Sequence, residues 1–398
     1  MRKIKIWIQE RYGTIINSIA FYPAFIALMF LVLSVAVISF DFSETGKHLK
    51  SQLHWLSLKD ASTARSIISS IVAGVISLSV FSFSMVMIVL NQAASQMSNR
   101  VLDKLIGNSF QQIVLGIYIG TIVYALFLLS TIRDIDSGIY IPALSTYLLI
   151  LITIIDIFLF IYFLHYITQS VKYEVIIARI FKETAASLEN ACELKDNQAA
   201  HSTTVTTYII PSKKSGIYER FDQQAILRLC SENDCVVTII HTPGTFVLKG
   251  LPVMSVSKQL PEHVQDHLLE QLFFPTSESI DGNFFYGLRQ LTEVAVKALS
   301  PGINDPGTAI VSLRALFQLY AYRACYYPET VLFDEHNKER IIVTEPGFEK
   351  IFSSTLLPIW DYGKNDRMIQ QEMRHLLTQL QATSSHAVIN KFLQEVNQ

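Results

Sequence analysis

An aspartate in the middle of a long apolar run is the first place where this sequence could do chemistry. Asp156 sits inside "LLILITIIDIFLFIYFLHYI", Leu148 to Ile167, well away from either end. An ionisable group at that depth in a membrane helix costs about 2.5–3.5 kcal/mol on insertion scales and by default marks a functional site. The competing role is a hydrogen-bonded aspartate that holds helices together, with serines of a neighbouring helix or Tyr124 as partners. A second signal is periodic. Ser66, Ser70, Ser77, Ser84, Asn91 and Ser95, with Ser62, Ser69 and Ala73, recur so that, at about 100° per residue, they share one broad helical face. Phe81 and Ile88 interrupt that face. Small hydroxyl residues let helices approach closely. They could equally line a wet path, with Phe81 or Ile88 as an apolar constriction that gates by dewetting. A third signal is the loop "ALSPGINDP", which carries Ser300, Asn304 and Asp305. Pro301-Gly302 stops one helix, Asp305 stands at the cap of the next, and Pro306 opens it, where a missing N–H costs nothing. Ser300 has no sequence-level base to activate it. The loop is therefore read as a turn and cap, with a ligand-binding role for Asn304 and Asp305 left open.

The elements that must position these residues follow from composition. The chain has 398 residues, 50% hydrophobic and only 17% charged, where a soluble domain carries about 25% charged residues. The depletion is confined to the first 171 residues. Spanning the hydrocarbon core takes about 20 predominantly apolar residues in a helix. Four segments qualify, Ile15–Phe40, Ile67–Leu90, Ile113–Ile132 and Ile141–Ile167. The first is too long for a signal peptide and no small-residue cleavage site follows it, so it reads as a retained anchor. Arg2, Lys3, Lys5, Arg11, Arg100, Lys104, Lys172, Arg179 and Lys182 would lie in the cytosol if both termini are inside; Lys47, Lys50, Lys59, Arg65 and Arg133 would lie outside. The bias of Lys and Arg favours that orientation. A net charge of −2 with no basic stripe gives no ground for nucleic-acid binding.

From Lys172 onward the composition is that of an ordinary soluble domain. Residues 172–204 read as a helical extension and polar linker, 205–258 as a small α/β, barrel-like module, and 259–398 as a mainly helical domain. In the module, Asp222 caps an amphipathic helix. The Pro-Gly turn at "TPGT" between short β-branched runs favours hairpin-like pairing. Gly244 and Gly250 resemble the tight turns of barrel-sandwich hybrid domains, but the lysine hairpin that carries biotin or lipoyl is absent. Cys192, Cys230, Cys235 and Cys325 match no zinc spacing. No nucleotide-binding loop or metal-binding helix motif occurs, so neither cofactor nor metal is expected.

Taken together, "LRQLTEVAVKALSPGINDPGTA", "IYFLHYITQS" and "LNQAASQMSNRVLDKLIGNSFQQIVLGIYIGTIVYALFLL" resemble a bacterial membrane-protein family catalogued as domain of unknown function 2254. "SGIYERFD", "PGTFVLKGLP" and "FEKIFSSTLLPIWDYGKND" support the resemblance over nearly the whole chain. Two positions depart from the pattern: Thr245, where an acidic residue is usual, and Gly307, where a larger one is common. The resemblance implies a plasma-membrane location and four spans with a soluble C-terminal domain. It implies no activity.

The expectation is thus a four-helix membrane domain on a mixed α/β C-terminal domain, assembled as a homo-oligomer in the bilayer. The leading functional reading is a channel-like or pore-forming protein for small ions, with the C-terminal domain assembling or regulating it. A membrane-anchored sensor or scaffold comes second. A membrane-bound enzyme comes third, its acid–base site built from Asn304, Asp305 and a distant His241.

Overall fold

The computed structural model describes residues 21–46, 48, 60–96, 109–132, 142–170, 172–193, 206–275 and 278–397. The chain divides into two compact units, 1–172 and 173–398. In the first, four helices are long and apolar enough to cross a membrane. They are α1 (Phe21–Phe42), α2 (Ala61–Gln96), α3 (Ser109–Thr131) and α4 (Ala143–Ser170). The basic residues that argue for orientation lie mostly outside the described segments; Arg65, Lys172, Arg179 and Lys182 are within them. At 1.5 Å per residue α2 is about 54 Å long, well beyond the roughly 30 Å of hydrocarbon, so it overhangs the bilayer.

Small residues set the closest helix contact. Gly116 and Gly120 are spaced four apart on α3, the spacing that lets transmembrane helices approach backbone to backbone. A Cβ at Gly116 would stand 2.7 Å from Ile26 Cδ1, and one at Gly120 would stand 2.7 Å from Phe30 Cγ, both side chains of α1. Polar atoms tie the helix ends. Asp60 caps α2 by accepting from the Ser62 and Thr63 N–H groups at 3.1 and 3.0 Å. Asp41, at the end of α1, accepts from the Ser145 N–H at 3.0 Å, and the Tyr124 hydroxyl donates to the Ser145 carbonyl at 3.3 Å. The first turn of α4 is therefore held by two other helices.

The second unit begins with α5 (Tyr173–Ala191). Next come β1 (Tyr208–Pro211), β2 (Gly216–Tyr218), β3 (Arg220–Phe221), α6 (Gln223–Glu232), β4 (Val237–Ile239), β5 (Thr245–Val247) and β6 (Pro252–Val256). They are followed by α7 (Glu262–Glu270), β7 (Leu272–Phe273), α8 (Phe284–Ala298), α9 (Pro306–Arg323), β8 (Val331–Phe333) and β9 (Glu339–Val343). Three helices close the chain: α10 (Phe348–Gly363), α11 (Arg367–Thr383) and α12 (Ala387–Val396). The strands form a five-stranded mixed sheet in the order β1-β6-β4-β9-β8 and two two-stranded ribbons, β2-β5 and β3-β7.

Two sequence expectations change here. The runs flanking "TPGT" do not pair with each other. β5 pairs with β2, Ile217 opposite Phe246, while β4 lies between β6 and a parallel β9. β4 is the central strand of the sheet and its Val237 and Ile239 are fully buried, so its neighbours are set by the core and not by the adjacent turn. The sheet also draws its last two strands from residues 331–343, so it is open and mixed rather than barrel-like. Asp222 caps α6 as its position suggests, accepting from the Ala225 N–H at 3.0 Å.

Candidate functional site

Asp156 lies at the midpoint of α4 and is fully buried. Neither carboxylate oxygen has a hydrogen-bond partner. Thr121 and Tyr118 of α3 are its polar neighbours. The Thr121 hydroxyl spends its one proton on the Ile117 carbonyl at 3.0 Å, which leaves the carboxyl without that bond. The Tyr118 hydroxyl is also buried and unbonded, next to the equally unbonded hydroxyl of Ser82 on α2. Ser82 then lines a mostly apolar cavity of about 210 Å³ together with Gln112, whose Oε1 is buried without a partner.

Three helices thus bring a carboxyl, two hydroxyls and an amide into one buried polar run. Buried polar groups are almost always bonded, so these orphaned atoms are the exception that marks a candidate site. Its groups can accept or donate hydrogen bonds to a small polar guest. Among the described residues it holds no nucleophile bonded to a base, which acyl or phosphoryl transfer would need. Tyr124, the partner suggested by the sequence, is turned instead to Ser145. Tyr118 and Thr121 stand in its place because they occupy the stretch of α3 that lies level with the middle of α4.

The serine face points the other way. Ser66, Ser70, Ser77, Ser84 and Asn91 are exposed on the outer side of α2; the side chain of Ser95 lies outside the described residues. Ser70, Ser77 and Ser84 donate back to the carbonyls of Ser66, Ala73 and Val80 at 2.8–2.9 Å. Each hydroxyl is therefore satisfied by its own helix and can face an apolar surrounding without an orphan. Phe81 and Ile88 are exposed on the same side, and the Phe81 ring meets Phe160 of α4 edge-on at 5.7 Å. What packs inward is the seam Ala61, Ala64, Ile68, Val75 and Ser82. The stripe is thus exposed, with Ser66 and Ser70 bordering a groove shared with Ile150, Thr153 and Ile154 of α4, whereas Asp156 is buried.

In the second unit the predicted loop closes on itself. Asp305 caps α9, accepting from the Thr308 N–H at 3.1 Å and the Thr308 hydroxyl at 2.5 Å. The Ser300 hydroxyl donates to the Lys297 carbonyl at 2.6 Å. Asn304 takes the left-handed backbone conformation, φ +48°, and its N–H donates to the Ser300 carbonyl at 2.9 Å. His241 is bonded through Nε2 to the Pro252 carbonyl at 2.8 Å, in the sheet rather than at this loop.

Sequence reasoning passed over Ser82, Gln112, Tyr118, Thr121 and Asp41. Hydroxyls and one amide in apolar helices are common, and only packing told these from the rest. Gly116 and Gly120 were legible: "GIYIG" is the small-residue spacing in plain form.

Fold and site together define a multi-pass membrane protein with a mixed α/β C-terminal unit. Residues 16–379 match the model of the family described as Predicted membrane protein (DUF2254), and the chain belongs to that family. Among curated proteins it is similar to uncharacterized proteins of Mycobacterium bovis and Mycobacterium tuberculosis, each 23% identical over 315 residues. The match covers 74% of this chain and 59% of theirs, so the chain spans under two thirds of those relatives' length. No solved structure matches it.

Proposed function

We propose that the protein is an oligomeric, channel-like protein of the bacterial inner membrane, with both termini cytosolic and the C-terminal unit assembling or regulating the path. One observation carries the reading: α2 turns its hydroxyl face outward. The outward surface of the membrane unit otherwise carries large apolar side chains, such as Val32 and Phe158, and on α2 itself Val80, Phe83 and Ile88 flank the hydroxyl residues. Large apolar groups suit lipid. Small hydroxyl residues let a second helix approach closely or line water, although their back-bonded hydroxyls also tolerate lipid. Copies of α2 facing one another would place Ser66, Ser70, Ser77 and Ser84 along a path for small ions, with Phe81 or Ile88 narrowing it. Four spans cannot enclose that path alone, so the reading requires a homo-oligomer.

The test is flux through vesicles reconstituted with the full chain, alongside native mass spectrometry. Replacing Ser77 or Ser84 with Leu lowers flux while insertion and oligomer size stay unchanged. Unchanged flux in a correctly assembled variant sinks the proposal. A second reading, a membrane-anchored sensor or scaffold, draws support from a polar cavity in the C-terminal unit. Under it the wild type passes no ions and the same substitutions reduce assembly.

A further inference from the structure

The C-terminal unit holds a cavity where a buried arginine meets an uncapped helix N-terminus, with Glu345 and Glu349 also in its wall. α10 begins at Gly347, an N-cap with no side chain to accept from the first-turn N–H groups. The N-terminus of a helix carries roughly half a positive charge on those groups, a ready setting for an anion. Gly347, Phe348 and Glu349 form part of the wall of a cavity of about 370 Å³. Arg323, the last residue of α9, forms another part and is only 3% exposed. Its Nη1 and Nη2 donate to the Tyr326 and Pro346 carbonyls, both at 3.1 Å. Its Nε–H is buried and has no acceptor. Glu345 is close enough to act on the guanidinium electrostatically, yet the two form no ion pair. A buried cation that has a carboxyl nearby but forms no ion pair with it is costly. It stands beside a helix end of the same sign, whose first turn carries Glu349.

We infer that this cavity binds a small organic oxyanion, a carboxylate or a phosphate monoester. Its charged group sits between Arg323 and the N-terminus of α10, and its apolar body lies against the aromatic wall. That wall is built: the His386 ring stacks on Phe348 with centroids 4.3 Å apart and an angle of 23°, and Tyr327 lies under the Arg323 guanidinium at 5.4 Å. The volume is within the range of small-molecule sites. The inference goes beyond the role proposed for the membrane unit and stands or falls separately from it.

Glu345 regulates the site as a competing internal anion. Burial raises its carboxyl to about 7, with Arg323 pulling the other way. Burial pushes the Cys192 thiol, at the end of α5, up to about 11, and raises the Tyr218 hydroxyl of β2. His386 and Glu349 share the cavity, while Glu193 and Glu329 line a second one that Glu345 also borders. Below about pH 7 Glu345 is neutral and leaves Arg323 to the ligand. Above it, the carboxylate repels the ligand, so affinity falls as pH rises.

The experiment is calorimetric titration of the full-length protein in detergent with sulfate and with benzoate, against chloride at equal ionic strength. Neither probe changes charge near neutral pH. Both bind saturably in the millimolar range or below, benzoate more tightly. Going from about pH 6 to about pH 8 weakens binding about tenfold, as the neutral fraction of Glu345 falls by that factor. Arg323→Lys weakens it about tenfold through loss of the planar fork. Glu345→Gln removes the pH dependence and binds more tightly than wild type at the higher pH. That gain cannot come from misfolding, so it decides the matter if Arg323→Lys fails to fold. Absence of saturable binding to folded wild type overturns the inference. So does wild-type affinity in folded Arg323→Lys, or an undiminished pH slope in Glu345→Gln.

Discussion

Tyr320 of α9 and Tyr118 of α3 are both fully buried tyrosines on helices, and their hydroxyls meet different ends. The Tyr320 hydroxyl is 2.6 Å from Thr355 Oγ1, and Thr355 passes its own proton to the Ile351 carbonyl at 2.7 Å. The chain of bonds is complete. Tyr118 bonds to nothing, and its neighbours Ser82 and Asp156 are in the same condition. Around Tyr320 the buried polar groups are paired: Thr292 Oγ1 lies 3.0 Å from both the Leu288 and Thr355 carbonyls, which share its one proton. Elsewhere in the same unit Arg340 reaches Asp334 and Asp234 at 2.7 and 2.9 Å, although Arg323 Nε and Asn283 Nδ2 have no partner. The difference teaches where to look. Completed bonds such as those of Tyr320 contribute to stability, whereas unbonded polar groups in an apolar setting carry a desolvation cost.

Substitutions can break that contrast or sharpen it. The largest effect is expected at the tight helix crossing. Gly120→Leu forces a side chain into Phe30 and should destabilise the membrane unit by about 1–3 kcal/mol or more, read as a lower melting temperature in detergent. Gly74 is the control. A Cβ there meets nothing within 4 Å, so Gly74→Leu leaves the folded subunit intact. A fall in oligomer size on native mass spectrometry would place α2 between copies; an unchanged assembly would leave its outer face to lipid.

A smaller effect is expected from Tyr320→Phe, which removes a completed hydrogen bond and should cost about 0.5–1.5 kcal/mol. Denaturant unfolding followed through Trp360 would measure it. The C-terminal unit should also lose stability as pH rises from about 5 to about 8. Glu345 has a folded-state pKa of about 7, above the ordinary carboxyl value, so its contribution is present at low pH and lost through that window. Melting scans across the range should flatten in Glu345→Gln, and an equal slope in both proteins would remove Glu345 as the cause. The smallest effect belongs to Tyr118→Phe. An unbonded hydroxyl contributes nothing, so its loss should change stability by a few tenths of a kcal/mol at most, or raise it. A cost like that of Tyr320→Phe would mean the hydroxyl is bonded in the membrane and would erase the contrast.

Much of the fold was legible before any coordinates. Four long apolar runs locate the membrane helices to within a few residues at most ends, because hydrophobic length is a local quantity. Asp222 and Asp305 were readable as caps, since a cap needs only a side chain two or three residues from the N–H it accepts. The sheet was less legible. Nothing local in "CVVTIIH" names β9, about a hundred residues later, as its parallel neighbour, and the turn signal at "TPGT" pointed to the wrong partner for β5. The candidate sites divide in the same way. Asp156 stood out because its chemistry contradicts its surroundings, but its neighbours did not.

Periodicity placed the serines of α2 on one face and the depth of Asp156 in its run, because both depend on spacing along a single helix. Composition separated a membrane half from an ordinary one for the same reason. Which way the serine face turns could not follow from α2 alone: that choice rests on the seam from Ala61 to Ser82 packing inward against other helices. The company of Asp156, the meeting of Arg323 with the start of α10, and the parallel pairing of β4 with β9 each join residues far apart in the chain. Side chains that meet across such distances are selected by packing and burial, which no local pattern records.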